Sequence, residues 1–108
     1  MPPVDIYEAG GALVVEVELA GAAADDLQVV CEPRRLLVQG RVPAASEQFR
    51  VERCLLVERN SGPFRCAVAL PWATDPARVE ARLTDGVLTV RLPRLPAAAG
   101  GADAREMR

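Results

Sequence analysis

Apolar and polar side chains alternate with a period of two in several separate segments of this 108-residue chain. In the segment 13–19 every odd position holds Leu or Val, whereas Glu16 and Glu18 lie between them. Successive side chains of a β-strand point to opposite faces, so this spacing predicts a strand with one buried face. The same alternation recurs with apolar residues at positions 27, 29 and 31, at 64, 66, 68 and 70, and at 88, 90 and 92.

Residues suited to tight turns separate these segments. Gly10-Gly11, Asn60-Ser61-Gly62-Pro63 and Asp85-Gly86 contain Gly, Asn and Asp, which tolerate positive φ, and Pro, which presets φ. Half of the residues are apolar but only 4% are aromatic, so the core consists mainly of Val, Leu and Ala. Short strands between regular turns predict an antiparallel sandwich or barrel in a single domain.

The segment 75–83 fits two structures equally well. Asp75 is a candidate N-cap, Pro76 suits the first position of a helix, and Val79 and Leu83 have helical i,i+4 spacing. However, Val79, Ala81 and Leu83 also alternate with polar residues, as in a strand. Periodicity alone leaves both alternatives open.

Charge and composition exclude several classes of function. The thirteen basic residues, all arginine, are outnumbered by fifteen acidic ones, so no overall positive field favours nucleic acid. Histidine is absent and the three cysteines form no CxxC, so we expect no metal site, no cofactor and no Cys/His nucleophile pair. The apolar stretch 66–73 is far shorter than the roughly 20 residues of a spanning helix. With no leader visible, we expect a cytoplasmic protein with no membrane partner.

Residues 3–94 resemble the small heat-shock protein family in the order of their motifs. The segments 4–8, 13–21, 25–29 and 36–41 look like the family's second to fifth strands with their turns. More specific are the motifs that follow: Glu58-Arg59 with Gly62 and Phe64, Leu70-Pro71, Ala81, Asp85-Gly86-Val87-Leu88-Thr89-Val90, and Leu92-Pro93.

The resemblance implies an all-β, immunoglobulin-like antiparallel β-sandwich, the α-crystallin domain, over residues 4–94. It implies a strand over 79–83, preceded by a short helical turn. We expect residues 1–3 to be a vestigial arm and residues 95–108 to be a flexible tail without an apolar pattern for docking. The implied function is that of an ATP-independent holdase, not an enzyme, which binds partly unfolded client proteins through apolar surface and strand edges.

The family also has a groove between its fourth and eighth strands that accepts apolar side chains from a partner's tail. The alternative is that the corresponding residues here are ordinary inward-facing core, and the sequence leaves both open. The implied groove residues are Leu27, Val29, Cys31, Val79, Ala81 and Leu83.

In bacterial and plant members, a long loop after the fifth strand carries a short sixth strand that pairs with the second strand of a neighbouring subunit. Here that loop is 42–59, and it is unusually apolar for a solvated loop. The resemblance therefore predicts a strand-exchanged homodimer, against the alternative of a loop folded back on its own sandwich. The implied interface residues are Val51, Arg53, Leu55, Leu56, Val57, Arg59, Ile6 and Tyr7.

The chain departs from the family pattern in ways that bear on function. No Ile/Val-x-Ile/Val motif follows Arg94, Cys66 stands where an arginine is usual, and Ala20 replaces the proline of a Leu-Pro-Gly turn. We therefore expect a dimer and not a large cage. A second hypothesis is an interaction module without general chaperone activity, which co-assembles with longer family members as a hetero-oligomer or docks on one partner.

Overall fold

The computed structural model describes residues 2–44, 47 and 49–96 and the backbone of residues 105–107. These residues form strands and short 3-10 helices, and none of them lies in an α-helix. Two of the 3-10 helices are Ala24–Asp26 and Pro76–Arg78. The strands are β1 (Val4–Ala9), β2 (Ala12–Glu18), β3 (Leu27–Glu32), β4 (Arg35–Val42), β5 (Gly62–Ala69), β6 (Glu80–Thr84), β7 (Val87–Pro93) and β8 (Arg105–Met107).

The strands form two antiparallel four-stranded sheets. The first sheet has the order β1-β2-β7-β6, and the second has the order β5-β4-β3-β8. Buried side chains from both sheets pack in one hydrophobic cluster, so the fold is the predicted antiparallel sandwich. No helix in the described part of the chain is long and apolar enough to cross a membrane.

The period-two segments form the walls of the core. In β2, Leu13, Val15 and Val17 are buried, and in β7 the residues paired with them, Leu92, Val90 and Leu88, are buried as well. The predicted inward faces of β3 and β5 are likewise turned into the cluster, although Phe64 at the start of β5 is only partly buried. The alternation therefore predicted both the strands and their inward faces.

The ambiguous segment 75–83 combines one helical turn with a strand. The Asp75 side chain accepts a hydrogen bond from the Ala77 backbone N–H at 3.0 Å and caps the 3-10 helix. After Val79 the backbone is extended and β6 pairs with β7, as the family resemblance implied. At the reversal between these strands, Asp85 and Gly86 have φ of 52° and 77°, which suits an Asp-Gly hairpin turn.

The C-terminal segment differs from its expectation. The sequence predicts that residues 95–108 dock nowhere, whereas Arg105–Met107 form β8 along β3, with Val29 opposite Met107 and Cys31 opposite Arg105. Backbone hydrogen bonds of a ladder do not require an apolar side-chain pattern, which explains why the pattern gave no signal.

Candidate functional site

The six predicted groove residues face the space between the two sheets. Leu27, Val29 and Cys31 of β3, together with Val79 before β6, are at most 5% exposed and belong to the core cluster. Ala81 and Leu83 of β6 are only partly buried and pack against that cluster. Of the six, the side chains within reach of another molecule are therefore those of Ala81 and Leu83.

The two strands that carry these residues differ in whether their edges are covered. On one side of β3 lies β4, and on the other lies β8. β6 pairs with β7 alone among the described residues, so its outer edge presents backbone groups without a strand partner. Such an edge can accept an added strand.

The most exposed of the large apolar side chains in the described residues lie in the loop between β4 and β5. We call residues 49–57 the loop tip; it contains no strand. Leu55, Leu56 and Val57 are 82%, 77% and 70% exposed, and Phe49 and Val51 are also exposed. These side chains are not packed against their own sandwich, and three consecutive exposed apolar residues are unusual on a protein surface.

Both bases of this loop are held by contacts within the chain. At the first base, Arg41 Nη2 lies 2.5 Å from Glu47 Oε1, and Ala44 N–H donates to Glu47 Oε2 at 2.8 Å. The hydrogen bond from Arg41 is the main cause that lowers the pKa of the Glu47 carboxyl, and the same bond raises the pKa of Arg41. The pair is exposed, so its contribution to stability is small.

At the second base, Arg59 packs against the turn after β2. A Cβ built on Gly21 would lie 3.4 Å from Arg59 Nη2 and 3.7 Å from Val42 Cγ1, so glycine leaves room for this side chain. Arg59, predicted as an interface residue, thus also contacts its own sandwich. Both bases of the loop are thus held, while the apolar side chains of the loop tip are exposed.

The other predicted interface residues lie on an open edge of the first sheet. β1 pairs with β2 and has no second partner among the described strands. Ile6 lies opposite the fully buried Val15 but is 49% exposed. Tyr7 is half exposed and donates its hydroxyl proton to Glu16 Oε1 at 2.7 Å, which raises the pKa of Tyr7.

Sequence reasoning missed a cluster that joins the two sheets at one end. Trp72 Nε1 donates to Glu8 Oε1 at 3.2 Å, and the Arg94 guanidinium lies 5.8 Å from the centre of the indole ring. Thr74, fully buried, donates its hydroxyl proton to the Pro93 carbonyl at 2.5 Å. The single tryptophan of the chain could have drawn attention to this position. Its partners Glu8 and Arg94, however, are distant in sequence.

The three cysteines are free thiols in different surroundings. Cys31 and Cys66 are buried, whereas Cys54 is exposed in the loop tip. Burial raises the pKa of the Cys66 thiol. Within the described ranges, no group of three His, Cys, Asp or Glu side chains is arranged to hold a metal ion.

Comparison with known proteins gives consistent matches over this architecture. The family model described as "Hsp20/alpha crystallin family" matches residues 5–106. Heat shock protein 16 of Schizosaccharomyces pombe is 32% identical over 95 residues, which cover 87% of this chain and 66% of that protein. A 17.0 kDa class II heat shock protein of Zea mays is 36% identical over 98 residues, covering 87% of this chain and 60% of that protein.

Solved structures agree with the sequence matches. Heat shock protein 16.0 from Schizosaccharomyces pombe superposes with a TM-score of 0.80 at 29% identity and covers 94% of each chain. The structure of hspA from Xanthomonas axonopodis gives 0.78 at 32% identity, with 90% of this chain and 96% of that chain covered. The chain spans roughly three-fifths of the length of the curated relatives that it matches.

Proposed function

Because this chain belongs to the Hsp20/alpha crystallin family of small heat-shock chaperones, we propose that it is an ATP-independent holdase that binds partly unfolded proteins and prevents their aggregation. An unfolding protein exposes apolar segments and unpaired strand edges. A holdase needs surfaces that cover both. It performs no chemical step, so it needs no catalytic group.

The exposed apolar loop tip is the observation that carries this proposal. Leu55, Leu56 and Val57 are each at least 70% exposed. Burying one such side chain is worth about 1.5–3 kcal/mol, so contact with all three would give useful affinity without a specific sequence in the client. Their backbone forms no strand within the chain and is free to pair with an extended segment.

The same loop tip supports a strand-exchanged homodimer, in which dimerisation and client binding would compete for these side chains. The loop bases at Glu47 and Arg59 are held, while the apolar residues between them project. The open edge of β1 offers backbone groups and the half-exposed Ile6 as the acceptor in a second copy. We therefore keep Val51, Arg53, Leu55, Leu56, Val57, Arg59, Ile6 and Tyr7 as the proposed interface.

The groove is proposed in a narrower form than the sequence implied. Leu27, Val29, Cys31 and Val79 would form its floor, because they are core residues. Ala81 and Leu83, together with the free edge of β6, would make the contacts with an added peptide.

One observation favours the second hypothesis, an interaction module that co-assembles with longer family members. β8 of the same chain lies along β3, so one edge beside the groove is already occupied. A chain with that edge covered would capture clients less readily and would interact chiefly through the loop. We also propose a cytoplasmic location, because free thiols at Cys31, Cys54 and Cys66 suit a reducing compartment.

The experiment is to follow light scattering of a heat-aggregating model client without ATP at increasing ratios of this protein. Suppression of scattering near one dimer per client supports the holdase. The matched control replaces Leu55, Leu56 and Val57 by Ser, which leaves the buried core unchanged and should abolish suppression. A well-folded wild-type protein that suppresses nothing at any ratio refutes the holdase and favours the interaction module.

A further inference from the structure

The inner face of the edge strand β1 is only partly covered by its own sandwich. Val4, Ile6 and Glu8 lie opposite buried residues of β2 and therefore point to the core side of the sheet. Val4 is partly buried, whereas Ile6 is 49% exposed and Glu8 is exposed. Among the described strands the first sheet ends at β1, so a strand added there would continue this face.

The loop tip carries a matching series of side chains at two-residue spacing. In an extended strand Arg53, Leu55 and Val57 would share one face, and Cys54 and Leu56 would share the other. Leu55 and Val57 are 82% and 70% exposed. Arg53 is exposed as well and forms no salt bridge with any residue that the structure describes. One face of the loop tip therefore presents an arginine followed by two apolar side chains.

An antiparallel alignment of the loop tip with β1 matches these faces at three positions. Directly opposite residues of an antiparallel pair have Cβ atoms about 4.5–5.5 Å apart, and apolar pairs and pairs of opposite charge are stabilising at this distance. Along β1 two apolar residues precede an acid, and along the loop tip a base precedes two apolar residues. The three opposed pairs are Leu55 with Ile6, Val57 with Val4, and Arg53 with Glu8.

Neighbouring antiparallel alignments lose this match. A shift by two residues places Arg53 opposite Ile6 in one direction and Leu55 opposite Glu8 in the other, so that a charge meets an apolar side chain. A shift by one residue turns the apolar pair of the loop tip to the outer face of the sheet and leaves no arginine opposite Glu8.

Two parallel alignments also bring an arginine opposite Glu8. One uses Arg59, but a Cβ on Gly21 would lie 3.4 Å from Arg59 Nη2, so this arginine is engaged at the second loop base of its own sandwich.

The other parallel alignment uses Arg53 and covers Phe49 and Val51, which are 66% and 44% exposed. It would leave Leu55 and Val57, the more exposed pair, in water. Parallel pairing is also slightly less stable per residue than antiparallel pairing. Both arguments favour the antiparallel alignment.

Glu8 has room and hydrogen-bonding capacity for a second partner. It lines an open depression of about 200 Å³ together with Gly10, Gly11, Trp72 and Arg94. Its Oε1 accepts the hydrogen bond from Trp72 Nε1, and a carboxylate has about four acceptor sites, so a guanidinium can bind as well. Arg94 lies over the indole ring and forms no salt bridge with Glu8 in the described structure.

We propose that Glu8 binds Arg53 of a second copy of the chain and thereby fixes the antiparallel register in which the loop tip adds to β1. This inference rests on the strand-exchanged homodimer proposed above, and it adds the register and the residues that select the partner. A twofold dimer contains the pair of Arg53 and Glu8 twice, once at each loop. Such charge pairs contribute mainly to specificity, whereas burial of Leu55 and Val57 supplies the affinity.

Single substitutions in the loop tip test which face turns inwards. Leu55→Ser and Val57→Ser should each raise the dissociation constant of the dimer by about tenfold or more, because an apolar contact with β1 is lost. Leu56 is 77% exposed but belongs to the other face, so Leu56→Ser is the matched control and should leave the dissociation constant unchanged. Sedimentation equilibrium of the full chain gives the constants. Equal effects at the three positions would overturn the register while leaving strand exchange in place.

Charge reversal tests the pair itself. Glu8→Arg and Arg53→Glu should each weaken the dimer, because like charges then lie opposite each other. An equimolar mixture of the two variants should associate as strongly as the wild type, and so should the variant that carries both changes. This recovery cannot come from a misfolded protein. Arg50→Glu, on the other face of the loop tip, is the control and should have no effect.

The outcomes separate this inference from the proposals on which it rests. A wild-type chain that stays monomeric at every concentration refutes the strand-exchanged homodimer and the register with it. A dimer that is weakened by Arg50→Glu and Val51→Ser, but not by Leu55→Ser, would show the parallel alignment and overturn the antiparallel one. A dimer that recovers neither in the mixture nor in the doubly reversed variant refutes the pairing of Arg53 with Glu8. The light-scattering assay for holdase activity is independent of all three results.

Discussion

Gly40 of β4 lies so close to the carbonyl oxygen of Asp26 that a Cβ at Gly40 would overlap that oxygen. Gly40 pairs with Leu27, the first residue of β3, so the contact seats the 3-10 turn Ala24–Asp26 against β4. Asp26 in turn accepts a hydrogen bond from Ala23 N–H at 2.9 Å. The entry into β3, and with it the start of the groove floor, depends on the absence of a side chain at Gly40.

Gly40→Ala should destabilise the fold by about 3 kcal/mol, because the methyl group must displace backbone and not a flexible side chain. Urea denaturation followed by Trp72 fluorescence measures the loss in the free energy of unfolding. The matched control is Gly10→Ala. Gly10 has φ of 58° and nothing within 4 Å of a Cβ, so only conformational strain of about 1 kcal/mol is expected there. Equal losses in the two variants would mean that the overlap is relieved at no cost.

Thr74→Val should cost about 1–3 kcal/mol, because the buried Pro93 carbonyl loses a donor while the shape of the side chain is kept. Thr74→Ser keeps the hydroxyl group and removes one buried methyl, for about 1 kcal/mol. Equilibrium unfolding of both variants compares the cost of losing the hydrogen bond with the cost of losing the methyl group. If Thr74→Val proves at least as stable as Thr74→Ser, the hydrogen bond contributes little.

Cys66 should make the fold less stable at alkaline pH. Burial raises the pKa of its thiol in the folded state, so below the unfolded pKa of about 8.5 both states hold the proton. Above that pH the unfolded chain loses its proton first, and the stability from the neutral thiol is lost as pH rises towards the folded pKa. The free energy of unfolding between about pH 7 and pH 10 should therefore fall less in Cys66→Ala than in the wild type.

The exposed Cys54 supplies the control for this experiment, because it has no buried environment to lose. Cys54→Ala should show the same alkaline decline as the wild type. A Cys66→Ala protein whose decline equals that of the wild type would show that other groups cause it.

Removal of the loop residues 42–57 should convert the proposed loop-exchanged dimer to a monomer. Replacing Leu55, Leu56 and Val57 by Ser is the milder version and should raise the dissociation constant at least tenfold, because their burial in the partner is lost. Sedimentation velocity gives the mass. A dimer that survives the deletion contradicts strand exchange.

Truncation after Pro96 should uncover the edge of β3, because it removes β8. Backbone amides of residues 29–31 that face β8 should exchange with solvent faster, whereas those of β2 in the other sheet should not change. Hydrogen exchange measured by mass spectrometry compares the truncated chain with the 108-residue chain. If the exchange of β3 is the same in both, β8 does not protect this edge in solution.

The sequence predicted those parts of the fold that rest on local repetition. Period-two alternation placed Val15, Val17 and Val90 in the core, and the chemistry of Asp85-Gly86 predicted a hairpin turn. The family resemblance then resolved the segment 75–83 as a helical turn followed by a strand.

What could not be predicted depends on contacts between distant residues. Trp72 and Glu8 are 64 positions apart, and no local pattern indicates that an indole and a carboxylate will meet. In the groove, alternation placed the apolar residues of β3 and β6 on one face of each strand, but it did not show that Val79 is buried while Leu83 remains accessible. That difference depends on how far the opposite sheet extends, which is a property of the assembled sandwich.

The order of the first sheet has a consequence for synthesis on the ribosome. β2 pairs on one side with β7. The sheet therefore cannot close at Ala12 until Pro93 has been translated. Contacts of such long range are slow to form, and until then the nascent chain displays the β2 edge with Leu13, Val15 and Val17 unburied. During its own synthesis, this chain therefore presents the kind of unpaired apolar strand that the proposed holdase activity would cover in other proteins.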